Sequence, residues 1–259
     1  MYKQIPLILI CVLILAACEA EPTPFPVDLP PTPEPTLAPT AIPAVRYGLD
    51  VNTAGWMPNA SSMIVMTEAV DPADLGGRFD LIAAYGLLDG WQQAPQPANV
   101  TLIVDPLAIS SDLIMVIFQA VDPGAVVTNL AIPGSMVLEN LHVPPDMLLN
   151  TLANLGKPDG LGMAMGVTFV PGAEIIQAQL AAVNIHTRLV NLSHSEIAQA
   201  FAEKQIQLAL VTWSDSPPDF SSAENMLNLY ALPISYLAVD DLEITFTEQG
   251  FPVAHWRDS

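Results

Sequence analysis

The sequence predicts an α/β fold for residues 45–259, on three observations. Apolar runs of strand length alternate with segments of helical periodicity along that stretch, and strands separated by helices imply parallel pairing. Of the 259 residues, 51% are apolar and only 13% charged, the reverse of a disordered composition and enough for a sizeable core. No internal repeat interrupts the alternation.

Charge narrows the partners. Seven Lys and Arg face 27 Asp and Glu, a formal charge of −20. Nucleic acid is held by clustered cations that neutralise phosphates, so it is excluded as a partner. The same balance disfavours an anionic membrane surface.

Residues 1–18 read MYKQIPLILICVLILAAC, with Lys3 before an apolar run and Leu15-Ala16-Ala17-Cys18 at its end. This resembles a bacterial lipoprotein signal with its lipobox, in which small residues admit the signal peptidase and the cysteine accepts the lipid. The apolar stretch is shorter than the roughly 20 residues that span a bilayer. Residues 1–17 are therefore expected to be removed, Cys11 with them, leaving Cys18 lipidated and no thiol for a disulfide. The expected location is extracytoplasmic, anchored to the bacterial cell membrane through the N-terminal lipid. Residues 18–44 then form a Pro/Thr-rich tether with prolines at 22, 24, 26, 30, 31, 33, 35, 39 and 43. Proline at that density supports neither helix nor ladder, and about 3.1 Å per residue gives the tether a reach of up to ~80 Å.

Beyond the tether the pattern predicts strands at 47–51 and 79–85, with a short helix before Gly76-Gly77 between them, and a strand at 100–104. One helix is expected over 112–129 and another over 146–155, stopped by Pro158-Asp159-Gly160. A strand at 162–170 leads to a helix at 173–183, where Ile176, Leu180 and Val183 follow helical spacing and Asn184 tolerates a left-handed turn. A strand at 187–192 precedes a helix at 195–203, which Ser193 or Ser195 can cap and Glu196 favours in its first turn. Strands at 207–212, near 236–238 and at 242–246 complete the pattern. Asp105 and Asp112 interrupt the most apolar region, Leu102 to Val121, so no membrane span is expected there.

Motifs of catalysis are absent from the sequence. There is no Cys pair and no His-Glu-x-x-His, and His142, His186, His194 and His255 share no ligand-like spacing, so neither metal nor cofactor is expected. Gly160, Gly162 and Gly166 have no following basic residue to make a phosphate loop, and Ser135 lacks the Gly-x-Ser-x-Gly context of a nucleophile. Asp240 and Asp241 are adjacent and read as solvated. The expectation is a protein that is not an enzyme.

Several stretches, taken in order, carry a resemblance: Gly77-Arg78-Phe79-Asp80-Leu81; Val100 to Pro106 followed by Ile117 to Asp122; Leu155 to Gly160; Ile176 to Leu180 with Ile185 beyond; Leu208 to Trp213; Ile234-Ser235-Tyr236; and Gly250-Phe251-Pro252. Together they resemble the peptide/nickel family (family 5) of extracellular solute-binding proteins, the lipoprotein receptors of ABC transporters. Family members are much longer, and their large N-terminal lobe is here reduced to roughly residues 46–78. The family's arginine in the helix before Asp122 would fall at Ile114.

What the resemblance implies is a class II periplasmic-binding-protein-like fold, two small α/β lobes joined by crossing strands. Lobe I would comprise about 45–100 and 214–259, lobe II about 106–208, with 100–105 and 208–213 crossing. Ligand would be trapped between them at strand carboxyl ends. That nominates Tyr85, Asp89, Trp91, Trp213 and Asp215 as ligand-binding residues. The family also implies a peptide or small-molecule ligand, an ABC permease as partner and a monomer. The acidic charge suits an amine-bearing ligand. The alternative is a non-transporting surface lipoprotein that acts as an interaction or structural module.

Overall fold

Two mixed sheets organise the described residues, the first with one buried cluster and the second with one on each face. The computed structural model describes residues 44–49, 63–67, 71–168, 170–214, 216–219, 224–248 and 251–257; the expected leader and tether, Cys18 among them, and Asp215 lie outside the described residues. The first sheet contains β1 (Val45–Leu49), β2 (Met63–Thr67), β3 (Leu81–Tyr85), β4 (Gln92–Gln93) and, from far along the chain, β11 (Ile234–Ala238), in the order β2-β1-β3-β11-β4. The second contains β5 (Ala98–Val104), β6 (Met136–Val137), β7 (Leu161–Val167), β8 (Ile185–Asn191), β9 (Leu208–Trp213) and β10 (Met226–Leu232), in the order β6-β10-β5-β9-β7-β8. A final hairpin pairs β12 (Leu242–Phe246) with β13 (Pro252–Trp256).

Five helices dress the second sheet: α1 (Ser111–Ala120), α2 (Pro123–Leu130), α3 (Pro145–Asn154), α4 (Ala173–Ala182) and α5 (His194–Ala202). Alternation along the strands assigns them to faces. Leu102, Leu208 and Leu210 join Ile117, Leu148, Leu152, Ile176 and Leu180 of α1, α3 and α4, whereas the intervening Ile103, Ala209 and Val211 join Ile197 and Ala200 of α5. The helix expected over 112–129 is two helices. Pro123 has no N–H to continue the ladder, Asp122 turns extended before it, and the Asp122 carboxylate caps α2 through the N–H groups of Gly124 (3.0 Å) and Ala125 (3.2 Å). Ser111–Leu130 is long and apolar enough in composition to cross a membrane, yet its Ile114, Ile117, Phe118 and Val126 are packed in the core.

Two further sequence signals act where expected, whereas α3 ends at Asn154 with Gly156 left-handed (φ 74°), before Pro158-Asp159-Gly160. Asn184 ends α4 at φ 59°, and the Glu196 carboxylate accepts the Ser193 N–H at 2.7 Å at the start of α5. Strand direction is a correction: β1 runs parallel to β2 and β3, and β7 to β8 and β9, but β5 is antiparallel to both β9 and β10, and β11 to β3 and β4. β5 is antiparallel because it enters the second sheet from the first. Its first residue, Ala98, packs in the core of Tyr47, Leu81 and Tyr236, and two residues later Val100 packs in the larger core. The chain returns through Pro233, the single residue between β10 and β11.

The first sheet is pinned by one ion pair. Arg46 Nε donates to Asp80 Oδ2 at 3.0 Å and its NH2 to Asp80 Oδ1 at 2.5 Å, while the Arg46 backbone N–H also reaches Oδ2 at 2.8 Å. Burial pushes the Asp80 carboxyl up, but the hydrogen bonds and charge of Arg46 outweigh it, and the pKa lies below the ordinary carboxylate value. A lowered folded-state pKa adds stability that is fully present above the unfolded value of about 3.9 and is lost as pH falls through the folded value. Asp80→Asn is therefore expected to cost on the order of 2 kcal/mol near neutrality. In chemical denaturation repeated from pH 7 to pH 2.5, the gap between wild type and variant should close only below about pH 4. A gap that persists unchanged at pH 2.5 would assign the loss to packing instead of charge.

Candidate functional site

The two sheets meet where the chain passes between them, and the carboxyl ends of β3, β7 and β9 lie toward that junction. The register sets one row across three strands: Thr212 on β9 is opposite Val100 on β5, and Val100 is opposite Tyr230 on β10. Val100 and Tyr230 both belong to the core beneath α1 and α4, so the row faces that side. The Tyr230 hydroxyl donates to the Pro171 carbonyl in the loop that follows β7. Gly172, next in that loop, has φ 92°; a Cβ there would lie 2.8 Å from Val126 Cγ1 and 3.0 Å from the Tyr230 hydroxyl. Glycine is required at that point both by the left-handed backbone and by the closeness of the phenol.

Tyr85, at the end of β3, is half-buried and packs against the cores of both sheets. Burial, reinforced by the nearby Tyr85, pushes the Tyr230 phenol far above its ordinary pKa, and burial raises Tyr236 in the same way. These phenols remain hydrogen-bond donors at any physiological pH. The loop after Tyr85 is tied to the junction by three bonds: Gly86 N–H to Pro233 O (2.7 Å), Leu87 N–H to Pro133 O (2.9 Å) and Ser235 Oγ to Gly86 O (2.6 Å).

Among the described residues four buried hydroxyls have no hydrogen-bond partner: Thr168 Oγ1, Thr187 Oγ1, Thr212 Oγ1 and that of Tyr236. Two of them, Thr168 just past β7 and Thr212 near the end of β9, are fully buried at strand carboxyl ends. Leaving such a group unpaired costs about 1–3 kcal/mol, an expense recovered when a ligand group or a water meets it. The arrangement can bind polar groups by hydroxyl and peptide contacts. Among the described residues no three His, Cys, Asp or Glu side chains gather as a metal site.

The structure brings together some of the residues nominated from sequence and separates others. Tyr85 joins Tyr230 at the junction. Asp89 is exposed in the turn beside Gly90, and Trp91 is half-buried, joining none of the three buried clusters. Trp213 ends β9 opposite Asn99, but its ring packs on the α5 side, the face opposite Thr212. Its indole donates to Thr101 Oγ1 at 2.8 Å, Thr101 donates to Asn228 Oδ1 at 2.9 Å, and Asn228 Nδ2 donates to Glu139 Oε1 at 2.9 Å, a polar relay across three strands. Asp215 lies outside the described residues. Sequence reasoning missed Thr168, Thr212 and Tyr230. The available signal was a threonine at or just past the end of an apolar strand, in GVTFV and LALVTW; alternation puts Thr168 in phase with Ala164 on the α5 face and Thr212 in phase with Leu210 on the opposite one.

No protein-family model matches the sequence, and no curated protein matches it either. Solved structures do match the fold. A substrate-binding protein from Microbacterium hydrocarbonoxydans, complexed with 4-hydroxybenzoate hydrazide, aligns with a TM-score of 0.57 at 11% identity over 75% of this chain and 59% of its own. OppA of Listeria monocytogenes, bound to peptide, aligns with a TM-score of 0.55 at 10% identity over 72% of this chain and 55% of its own. A dipeptide-binding protein from Pseudoalteromonas sp. SM9913 in complex with Met-Leu gives 0.51 at 12% identity over 73% of this chain and 53% of its own. The chain thus spans little more than half the length of these proteins. Its structural neighbours are binding proteins rather than enzymes, and its two mixed sheets with crossing connections are the class II periplasmic-binding-protein fold.

Proposed function

We propose that this chain is an extracytoplasmic solute-binding lipoprotein of the peptide/nickel type, shortened in its N-terminal lobe, that captures a peptide-like or amine-bearing small ligand for an ABC importer. The observation that carries the reading is the pair of unpartnered, buried hydroxyls, Thr168 and Thr212, at strand carboxyl ends beside the inter-sheet junction, the position where α/β folds take ligands. The likeness in fold to binding proteins in complex with peptides supports it. Cys18 would carry the lipid and residues 18–44 would tether the domain, residues 45–259, to the membrane. Tyr85, with Asp89 and Trp91 on the loop beyond it, would form one wall of the crevice. Asp215, two residues past Trp213, would pair with the ligand's amino group.

Native mass spectrometry of the protein purified from its own host tests this directly, because a stoichiometric small molecule should co-purify. For an amine-bearing ligand, Asp215→Asn should weaken binding by on the order of 2 kcal/mol or more in calorimetry, with little change in apo melting. Equal affinity in the two proteins would remove Asp215 from the site.

A second reading, an interaction module without transport, is favoured by one observation. Met136, Val137, Leu138, Leu141 and Met147 are all exposed between β6 and α3, Met147 at 61%. A binding partner retained by that surface, with no small ligand in the purified protein, would support the interaction module over the importer.

A further inference from the structure

At the amino-terminal ends of β7 and β8, away from the junction, the second sheet carries an open groove of about 510 Å³. It is lined by Gly162, Ala164, His186, Arg188 and Gln207, with Met163 and Thr187 between them. Parallel register makes the floor and the wall: Gly162 is opposite His186, and Ala164 is opposite Arg188. The two basic residues, two positions apart on one strand, project to the same face with roughly 7 Å between them. Gly162 leaves the floor bare, for a Cβ there would meet nothing within 4 Å. The groove lies where α5 stops short, since Gln207 sits beyond the helix end with its Oε1 accepting the Ala164 N–H at 2.9 Å and its amide nitrogen only loosely engaged by Lys204 O at 3.5 Å.

Its chemistry is at odds with the rest of the surface. In a chain of formal charge −20, no acid lines this groove, and Arg188 and His186 are exposed, with no ion pair or side-chain hydrogen bond among the described residues. The nearby acid Glu203 is occupied, its carboxylate accepting from Gln199 at 2.7 Å and Gln205 at 2.6 Å. Unpaired guanidinium, imidazole and carboxamide donors around a bare floor match an anion with two charged ends several ångströms apart.

We propose that this groove is a second binding site, separate from the inter-sheet crevice, for a small dianionic solute of the dicarboxylate class. Arg188, with the Gln207 amide across Ala164 from it, takes one carboxylate, His186 takes the other, and the hydrocarbon between them lies over Gly162 and Ala164. About 20 Å of strand separates Gly162 from Thr168, so occupancy here leaves the crevice residues untouched. The site stands whether or not the crevice binds a solute.

The test uses the mature protein and succinate as probe, followed by amide NMR shifts or calorimetry at low salt. Expected is saturable binding that weakens as sodium chloride is raised, drops at least about tenfold in Arg188→Gln, and drops as much in Gly162→Val, which fills the floor without removing a charge. Thr212→Val, in the crevice, should bind succinate as wild type does. Acetate binding as tightly as succinate would overturn the dianion assignment. Equal affinity in wild type and Arg188→Gln, or no saturation, would overturn the site. An acidic peptide that binds while succinate does not would replace the small solute with a protein partner and overturn the proposal as stated.

Discussion

Gly160→Ala should destabilise the domain by about 3 kcal/mol or more and lower its melting temperature by roughly 10 °C. Gly160 has φ 83°, and a Cβ there would lie 2.0 Å from the carbonyl oxygen of Asn184 and 2.7 Å from its Cβ. That carbonyl cannot move away cheaply. It accepts the Leu161 N–H at 2.9 Å, the bond that opens the β7–β8 ladder, and Asn184 is itself left-handed at φ 59°. Left-handed backbone alone costs an alanine roughly 1–2 kcal/mol, so the clash must supply the rest. Gly156→Ala separates the two contributions, because Gly156 has φ 74° with nothing within 4 Å of a built Cβ. Denaturant melts of both variants check the argument, and equal losses at the two positions would show that the approach to Asn184 is not the cause.

Thr212→Val should do two opposite things: raise the stability of the unliganded domain by about 1 kcal/mol or more, and weaken ligand binding by at least about tenfold. Valine keeps the shape of threonine and deletes the hydroxyl, which is here fully buried without a partner. Removing an unsatisfied group relieves its desolvation cost in the free protein. A hydroxyl kept at that cost is explained if something polar meets it in the bound state, which is what the proposed solute-binding role requires. Melting and titration with the co-purified ligand decide the matter. A destabilised variant would mean that the hydroxyl has a partner in the unliganded protein. A stabilised variant with unchanged affinity would leave Thr212 outside the site.

These two residues mark the division between local and non-local information. The sequence by itself determined the local events. Asn184 took the left-handed turn after α4, and Ser193 with Glu196 opened α5, because each depends on the backbone preference or hydrogen bonding of a few adjacent residues, whereas α3 stops at Asn154 with Gly156 left-handed, ahead of the Pro158-Asp159-Gly160 expected to end it. It also carried Pro123, but the apolar run from Leu113 to Val127 concealed the break that Asp122 caps. Tyr85 was legible as a residue at a strand end, whereas the direction of the Trp213 ring was not. Its face depends on which strand lies alongside β9, and the partner, β5, is more than 100 residues earlier.

Tertiary structure alone decided the rest. β10 was not legible in MLNLYAL, since a strand buried on both faces loses the alternation that would mark it, and its place between β5 and β6 is a matter of non-local pairing. The antiparallel entry of β5 follows from the crossing between the two cores, which no local pattern encodes. Thr168 and Thr212 became candidates only when burial removed water from their hydroxyls and the neighbouring strands supplied no acceptor. Arg188 and His186 became candidates only when β7 laid a glycine and an alanine beside them in place of an acid. Residue identity sets what a side chain can bind; the energy of leaving it unbound is set by neighbours far away in sequence.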